Sequence, residues 1–370
     1  MRRQRRMTVG AWLDEWLATY VDPRMRDGEL ARVTGAGYRG HVERYLKPEL
    51  GEIALAKLRP EHVTALYRKM GSPKADGGYG LSVRTRELSH VILRMALDRA
   101  VALGYAERNV LAAGAGVDRP RVRRRSVTAL EREEAVAVLA TLARTGDDAR
   151  RLFVPALLAL SCGMRRGEVL ALRVSDITLP SRLHPRALGT LTVCRTWDKS
   201  VDLRLGYAPL ERYSIREWPK SGHERYVDLP PEVVGVLRDA LARREITKRV
   251  AGADWHTQGV RADGTVVTWG ELLVSDAYGR PWWPDSFSSA WHQWCVKQGM
   301  TCRFHDLRAT SGSIALAAGI DPEVVSQRLG HHSAAFFLEH YAKPMHTARV
   351  ADAGIMGELV AEALGDQTGP

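Results

Sequence analysis

The sequence predicts a mostly α-helical chain of two domains, with a small antiparallel β-sheet in the second (α+β). Three observations predict it. Apolar residues recur at helical spacing through the first hundred residues, strand-like alternation is confined to the stretch between Gly189 and Leu229, and an Arg-dense stretch of low apolar content divides the chain near Pro120. A length of 370 residues suits two domains, and 45% hydrophobic residues supply a core for each. A net charge of +11 points to a polyanionic partner, nucleic acid first and a membrane surface second. No apolar run approaches the roughly eighteen residues of a membrane span, and the basic start Met1–Arg6 has no apolar segment behind it to make a secretory signal. The chain is therefore expected to be cytoplasmic, with no membrane partner. The 4 cysteines, Cys162, Cys194, Cys295 and Cys302, contain no C-x-x-C pair, so neither a disulfide framework nor a zinc knuckle is supported.

In order, Val9, Trp12, Leu13, Trp16 and Leu17 form a first amphipathic stripe, and a second helix is expected from Thr34 through Leu46, ending before Pro48. A third follows Pro60 with Val63, Leu66 and Met70 on one face. After the turn at Gly77, Gly78 and Gly80, a fourth runs from near Ser82 to Gly104 through Leu88, Val91, Ile92, Met95, Leu97 and Ala100. Arg84 and Arg86 on that helix are candidate phosphate contacts, although arginine on a solvated face is the commoner case. Arg121, Arg123, Arg124 and Arg125 then mark an exposed basic linker. Thr128 and Glu131 stand in the T-x-x-E relation that opens a helix. An apolar helix, FVPALLALSCG, stops at Gly163, with Arg165, Gly167 and Glu168 at a turn before the next helical stretch. An arginine between two buried stripes needs a carboxylate to orient it, and Glu168 is the candidate. The strand-like runs TLTVCRTW and HERYVDLP follow, with Lys220 as a turn lysine at the start of the second and Lys199 as its rival.

The densest chemistry lies between Thr301 and Pro344. A helix over DLRATSGSIALAAG, stopped by Gly319, carries His305 and Arg308 one turn apart near its start, on one face. Asp321-Pro322-Glu323 restarts a helix with Val324, Val325 and Leu329 on its apolar side, closed by Gly330. His331 falls just past that stop, and Tyr341 comes ten positions later on a further short helix. Each residue alone is more often structural than functional. Together they place groups that grip a phosphate beside one that can attack it.

SCGMRRGE (Ser161 to Glu168), Pro219-Lys220-Ser221, His305-Asp306-Leu307-Arg308, Leu329-Gly330-His331 and Tyr341, in that order, resemble the tyrosine recombinase (phage integrase) family over the chain from about Thr8. The ten-residue step from His331 to Tyr341 resembles integrases of actinobacterial phages and integrative elements more than the shorter step usual elsewhere. The resemblance implies a basic tail (1–7), a helical core-binding domain (8–113), a basic linker (114–127), a catalytic domain (128–349) and a C-terminal helix and tail (350–370), the domains closing as a C-shaped clamp on DNA. It implies strand cleavage through a 3′-phosphotyrosyl link to Tyr341, assisted by Arg165, Lys220, His305, Arg308 and His331, with Glu168 in support. No metal and no other cofactor is expected, because the arginines take the role of metal ions. The implied partners are double-stranded attachment sites, four protomers on two paired sites from a monomer or weak oligomer in the free state, and an excisionase or DNA-bending accessory protein. A DNA-binding protein of this fold without catalysis, and a topoisomerase-like nicking-rejoining enzyme, are the alternatives. Met164 stands where Leu is usual and Ala309 where His is frequent. The gap from Arg165 to Lys220 implies an insertion within Leu179 to Trp218, and Gly252 to Thr268 reads as a second inserted loop. Many relatives carry a further small domain for arm-type sites; only Met1 to Arg6 stand in that place here, which leaves arm-site use open.

Overall fold

A computed structural model describes residues 7–122, 129–144, 147–184, 186–199, 209–217 and 224–330. Arg123, Arg124, Arg125, Thr128, Lys220, His331, Tyr341 and the expected C-terminal helix lie outside the described residues. The chain falls into two compact units that divide between residues 122 and 129.

The first unit is helical throughout. Its elements are α1 (Val9–Trp16), α2 (Asp22–Arg26), α3 (Arg32–His41), α4 (Lys47–Leu50), α5 (Pro60–Gly71) and α6 (Val83–Ala102). Thr8 caps α1 by accepting from the Ala11 amide at 3.2 Å, and Ser82 caps α6 through the Thr85 amide. Trp12, Trp16, Leu46, Met70, Ile92 and Leu93 fill the core, and the Trp12 indole N–H donates to the Ala96 carbonyl at 2.8 Å, tying α1 to α6. Leu88 points outward instead, and Ser89 and His90 are buried in its place.

The expected stop before Pro48 does not occur. A π turn over Val42–Leu46 carries α3 directly into α4, with Pro48 inside the new helix's first turn. The same device precedes Pro23, where a π turn over Leu17–Val21 joins α1 to α2. A proline lacks the N–H for an i→i−4 bond and its ring crowds the carbonyl one turn back; widening that turn removes both conflicts. Tyr20-Val21-Asp22-Pro23 and Tyr45-Leu46-Lys47-Pro48 are the same pattern twice.

The second unit contains α7 (Arg132–Arg144), α8 (Asp147–Ser161), α9 (Arg166–Leu170), β1 (Ile177–Thr178), β2 (Gly189–Val193), β3 (Thr196–Lys199), α10 (Pro209–Arg212), β4 (Tyr213–Arg216), β5 (Arg225–Leu229), α11 (Pro231–Ala251), β6 (Gln258–Val260), β7 (Val266–Thr268), α12 (Pro284–Lys297), α13 (Phe304–Ala317) and α14 (Pro322–Leu329). One three-stranded antiparallel sheet has the order β1-β2-β5, with Leu191 opposite Val227. β3 and β4 form a separate antiparallel hairpin interposed between β2 and β5, which accounts for the long gap from Arg165 to Lys220. The stretch from Gly252 to Thr268, expected as a second inserted loop, holds a 3-10 turn over Gly252–Asp254 followed by the β6–β7 hairpin. Its three-residue strands are too short to show alternation. α11 shows no long apolar stripe because only Val233, Val234 and Leu237, near its start, are buried.

The core runs from α8 through the three-stranded sheet to α12, where Phe287, Trp291 and Phe304 meet edge to face at 4.8 to 5.3 Å. α13 is buried all round from Asp306 to Ser313. In α14, Val325 and Leu329 are buried but Val324 is exposed, so the stripe is narrower than expected. Among the described residues no helix is long and apolar enough to cross a membrane.

Candidate active site

Two helix ends and two helix starts build the site. α8 stops at Gly163, whose φ of 64° is left-handed, and α14 stops at Gly330 with φ of 65°. A left-handed glycine turns its carbonyl away from the helix axis, and each of these two carbonyls is taken by an arginine from another element. Arg308 on α13 donates Nη1–H to the Gly163 carbonyl. Arg165, the N-cap of α9, donates Nη2–H to the Gly330 carbonyl at 2.8 Å. Arg328 completes the frame, donating to the Ser161 carbonyl at 2.7 Å and to the Ser311 hydroxyl at 3.1 Å.

Glu168 is the centre of charge. Its Oε2 accepts from the Arg165 backbone N–H at 2.9 Å, the N-terminal half of a capping box, and its Oε1 accepts Arg165 Nη1–H at 2.8 Å. Arg225, at the start of β5, donates Nη2–H to Oε2 at 2.7 Å and Nη1–H to Oε1 at 3.2 Å. Burial pushes the Glu168 carboxyl up, but Arg225 first, then Arg165 and Arg308, outweigh it and hold the group at about 2. The same N-terminal arrangement recurs where Asp306 accepts from the Arg303 amide at 2.9 Å and where Asp176 accepts from that of Arg173 at 2.8 Å. Arg165 is 27% exposed at its side chain while Glu168 is 1% exposed, so the arginine reaches solvent and its anchor does not.

His305, one turn before Arg308, is open to solvent on one side. The protein packed around its ring, and then Arg308, lower its pKa, with Arg165 adding to the effect and Asp306 opposing it. The shift favours the neutral ring. His305, Arg308, Arg165 and Glu168 therefore converge, as the sequence leads one to expect. Lys220, His331 and Tyr341 fall on residues outside those described; Gly330, which Arg165 holds, immediately precedes His331. The rival lysine, Lys199, is tied to Asp285 at 3.2 Å beside Arg212.

Two members of the cluster were not expected from sequence. Arg225 occupies the inward phase of β5 with Val227 and Leu229, and a charged residue in register with two core residues is the signal that marks it. Arg328 stands three positions after the buried Val325, on the same helix face. In the first unit, Arg84 and Arg119 share Glu87 at 3.0 and 3.1 Å, Arg86 is half-buried against Gly71, and Arg121 is exposed. Among the described residues, no three His, Cys, Asp or Glu side chains gather as metal ligands.

Gly163 is doubly constrained. A Cβ there would stand 2.1 Å from Cδ2 of Leu329, which is fully buried. Gly163→Ala is expected to destabilise the second unit by about 2–4 kcal/mol, from left-handed strain plus overpacking, measured as a shift in urea unfolding. An unchanged midpoint would contradict the packing described.

Comparison with known proteins places these residues in a family. The phage integrase family matches residues 128–347. The chain is 25% identical to the integrase of Mycobacterium phage L5 over 319 residues, covering 85% of this chain and 72% of that one. It is 23% identical to the integrase of Mycobacterium phage D29, covering 88% and 72%. In structure it is similar to the Tn1549 transposon integrase solved with a circular intermediate DNA (TM-score 0.68, 16% identity, covering 94% of this chain and 99% of that chain). It is also similar to a lambda integrase dimer bound to a core site (TM-score 0.60, 15% identity, 93% and 81%). The match spans more than half of the chain, and with it the helical fold, the small antiparallel sheets and the arginine cluster agree: the chain belongs to the phage integrase family of tyrosine-type recombinases.

Proposed function

We propose that this chain cuts and rejoins DNA at specific sites through a 3′-phosphotyrosyl link to Tyr341, in the integration or excision of a phage or mobile element. The observation that carries the reading is the gathering of Arg165 and Arg308 around the buried Glu168 carboxylate, with His305 beside both arginines and Arg165 holding the carbonyl of Gly330, which precedes His331.

A tyrosine with a pKa near 10 is only roughly 0.1% ionised at pH 7, so the attacking oxygen must lose its proton in a site that favours the anion. Two guanidiniums favour the phenolate and stabilise the extra charge on the non-bridging oxygens of the pentacoordinate transition state. A guanidinium carries five N–H donors, so each can keep its protein carbonyl and still donate to a phosphate oxygen. Neutral His305 is suited to take the tyrosine proton. His331 would hydrogen-bond a non-bridging oxygen, and Lys220 would protonate the departing 5′-oxygen. The bond from Tyr341 Oη to phosphorus forms as the bond to the 5′-oxygen breaks. A 5′-hydroxyl from a second strand can then reverse the step. Arg84, Arg86, Arg121, Arg123, Arg124 and Arg125 are assigned to the DNA backbone. Lambda integrase has been solved as a tetramer on a Holliday junction, and four protomers on paired duplexes are the assembly proposed here.

The test is recombination between two plasmids carrying the sites recovered from DNA flanking the element. Wild type is expected to exchange them, and Tyr341→Phe to bind but not exchange. Binding without exchange by the wild type would favour a DNA-binding protein, and relaxation of plasmids lacking the site would favour a topoisomerase.

A further inference from the structure

We infer that Arg225 is a positioning residue for strand cleavage, locking the carboxylate that holds Arg165 and the C-terminal end of α14 into one hydrogen-bonded unit. The inference rests on the role proposed above for Arg165 and adds a residue outside the six assigned to the reaction. Three nitrogens of one side chain make the lock. Nη1 and Nη2 donate to the two different oxygens of Glu168, at 3.2 and 2.7 Å, and Nε donates to the Arg328 carbonyl at 2.8 Å. The fork is the bidentate geometry that fixes a carboxylate in plane as well as in place.

Arg225 is buried, and each of its three nitrogens donates to a protein acceptor, two of them to Glu168, which ties the side chain to that carboxylate. Its effect on the substrate runs through Glu168. That carboxylate holds Arg165 by both its backbone N–H and its Nη1, and Arg165 in turn reaches the Gly330 carbonyl. The circuit therefore closes: β5 to α9 through Glu168, α9 to the end of α14 through Arg165, and the end of α14 back to β5 through Arg225. Gly330 lies against it, since a Cβ there would stand 3.2 Å from Arg225 Nη1. In sequence, Arg225 follows Lys220 by five residues and Arg328 precedes His331 by three. One guanidinium thus anchors the described ends nearest to both. A buried ion pair of this kind adds little stability over an apolar pair of the same volume, whereas it does fix orientation.

The test compares wild type, Arg225→Gln and Arg225→Lys for site binding, thermal unfolding and cleavage of a nicked suicide duplex across about pH 4 to 8. Arg225→Gln is expected to bind the site like wild type and to cleave about a hundredfold more slowly, with partial recovery in Arg225→Lys, which keeps a cation without the fork. Among the described residues, the charged groups facing Glu168 are Arg225 on β5, Arg165 at the start of α9 and Arg308 on α13. With the first removed, the carboxyl protonates at higher pH, so Arg225→Gln should acquire an acid limb in its rate profile that the added change Glu168→Gln abolishes. A purely structural role would lower the melting temperature and binding together and leave the profile unchanged, and that result, like cleavage at the wild-type rate, overturns the inference. Where Arg225→Gln fails to fold, Arg225→Lys decides on the same two readouts. If the wild type itself forms no covalent adduct, the recombinase reading fails first, which is a separate result.

Discussion

Replacing Arg165 by lysine lowers the rate of strand cleavage about 10²–10³-fold while site binding and the melting temperature stay close to wild type. The expected size is that of losing a preorganised donor to a developing oxyanion, about 2.7–4 kcal/mol in the barrier. Lysine keeps the charge. It cannot donate at once to Glu168 and Gly330 and still donate to a phosphate oxygen. The fold survives because the Arg165 side chain is part-exposed and Glu168 keeps Arg225. Single-turnover cleavage with a binding isotherm on the same duplex separates the two effects, and a loss confined to binding would contradict the assigned role. Arg308 is a less clean probe, because it is 1% exposed and holds the Gly163 carbonyl, so truncating it also disturbs the end of α8.

Glu168→Gln is the second large effect, and it falls first on stability. Removing the carboxylate leaves Arg225 buried without its counter-charge, which costs about 3–5 kcal/mol. The pH dependence has a definite sign. The Glu168 carboxyl lies at about 2 in the folded chain against about 4.3 when unfolded, so the stability it contributes is fully present above the unfolded value and is lost as pH falls from there through the folded one. The shift corresponds to about 3 kcal/mol. Urea unfolding of the second unit, followed at neutral pH and again near pH 3, should show a smaller loss on acidification in Glu168→Gln than in wild type. Equal losses would mean that the carboxylate is not the group that titrates.

Much of this was legible in the chain. Asp321 caps α14 through the Glu323 amide at 2.7 Å, and α5 begins at Pro60, because capping and proline placement are local and leave local marks. Where expectation failed, the cause was a competing local device or a distant partner. Proline 48 does not end its helix because a π turn absorbs it, and hydropathy carries no sign of turn width. Val324 reads as core from its neighbours, yet the covering elements reach Val325, Ser326 and Leu329 and leave it exposed. The pairing of Arg165 with Glu168 is legible because an arginine between two buried stripes needs a nearby carboxylate. The Arg165 bond to Gly330 spans 165 positions and the Arg225 bond to Glu168 spans 57, and only folding brings such groups together. The motif residues can be found singly, and Arg225 by its inward phase, while the carbonyls they hold and the partner that Arg225 meets come only from the fold.

The most direct measurement traps the wild-type chain on a nicked duplex carrying its site, digests the complex and identifies by mass spectrometry the peptide that retains the nucleotide. The expected products are a DNA 3′-phosphate joined to Tyr341 and a free 5′-hydroxyl on the other fragment, with no adduct in Tyr341→Phe. Attachment at any other residue, or an adduct that persists in Tyr341→Phe, would contradict it.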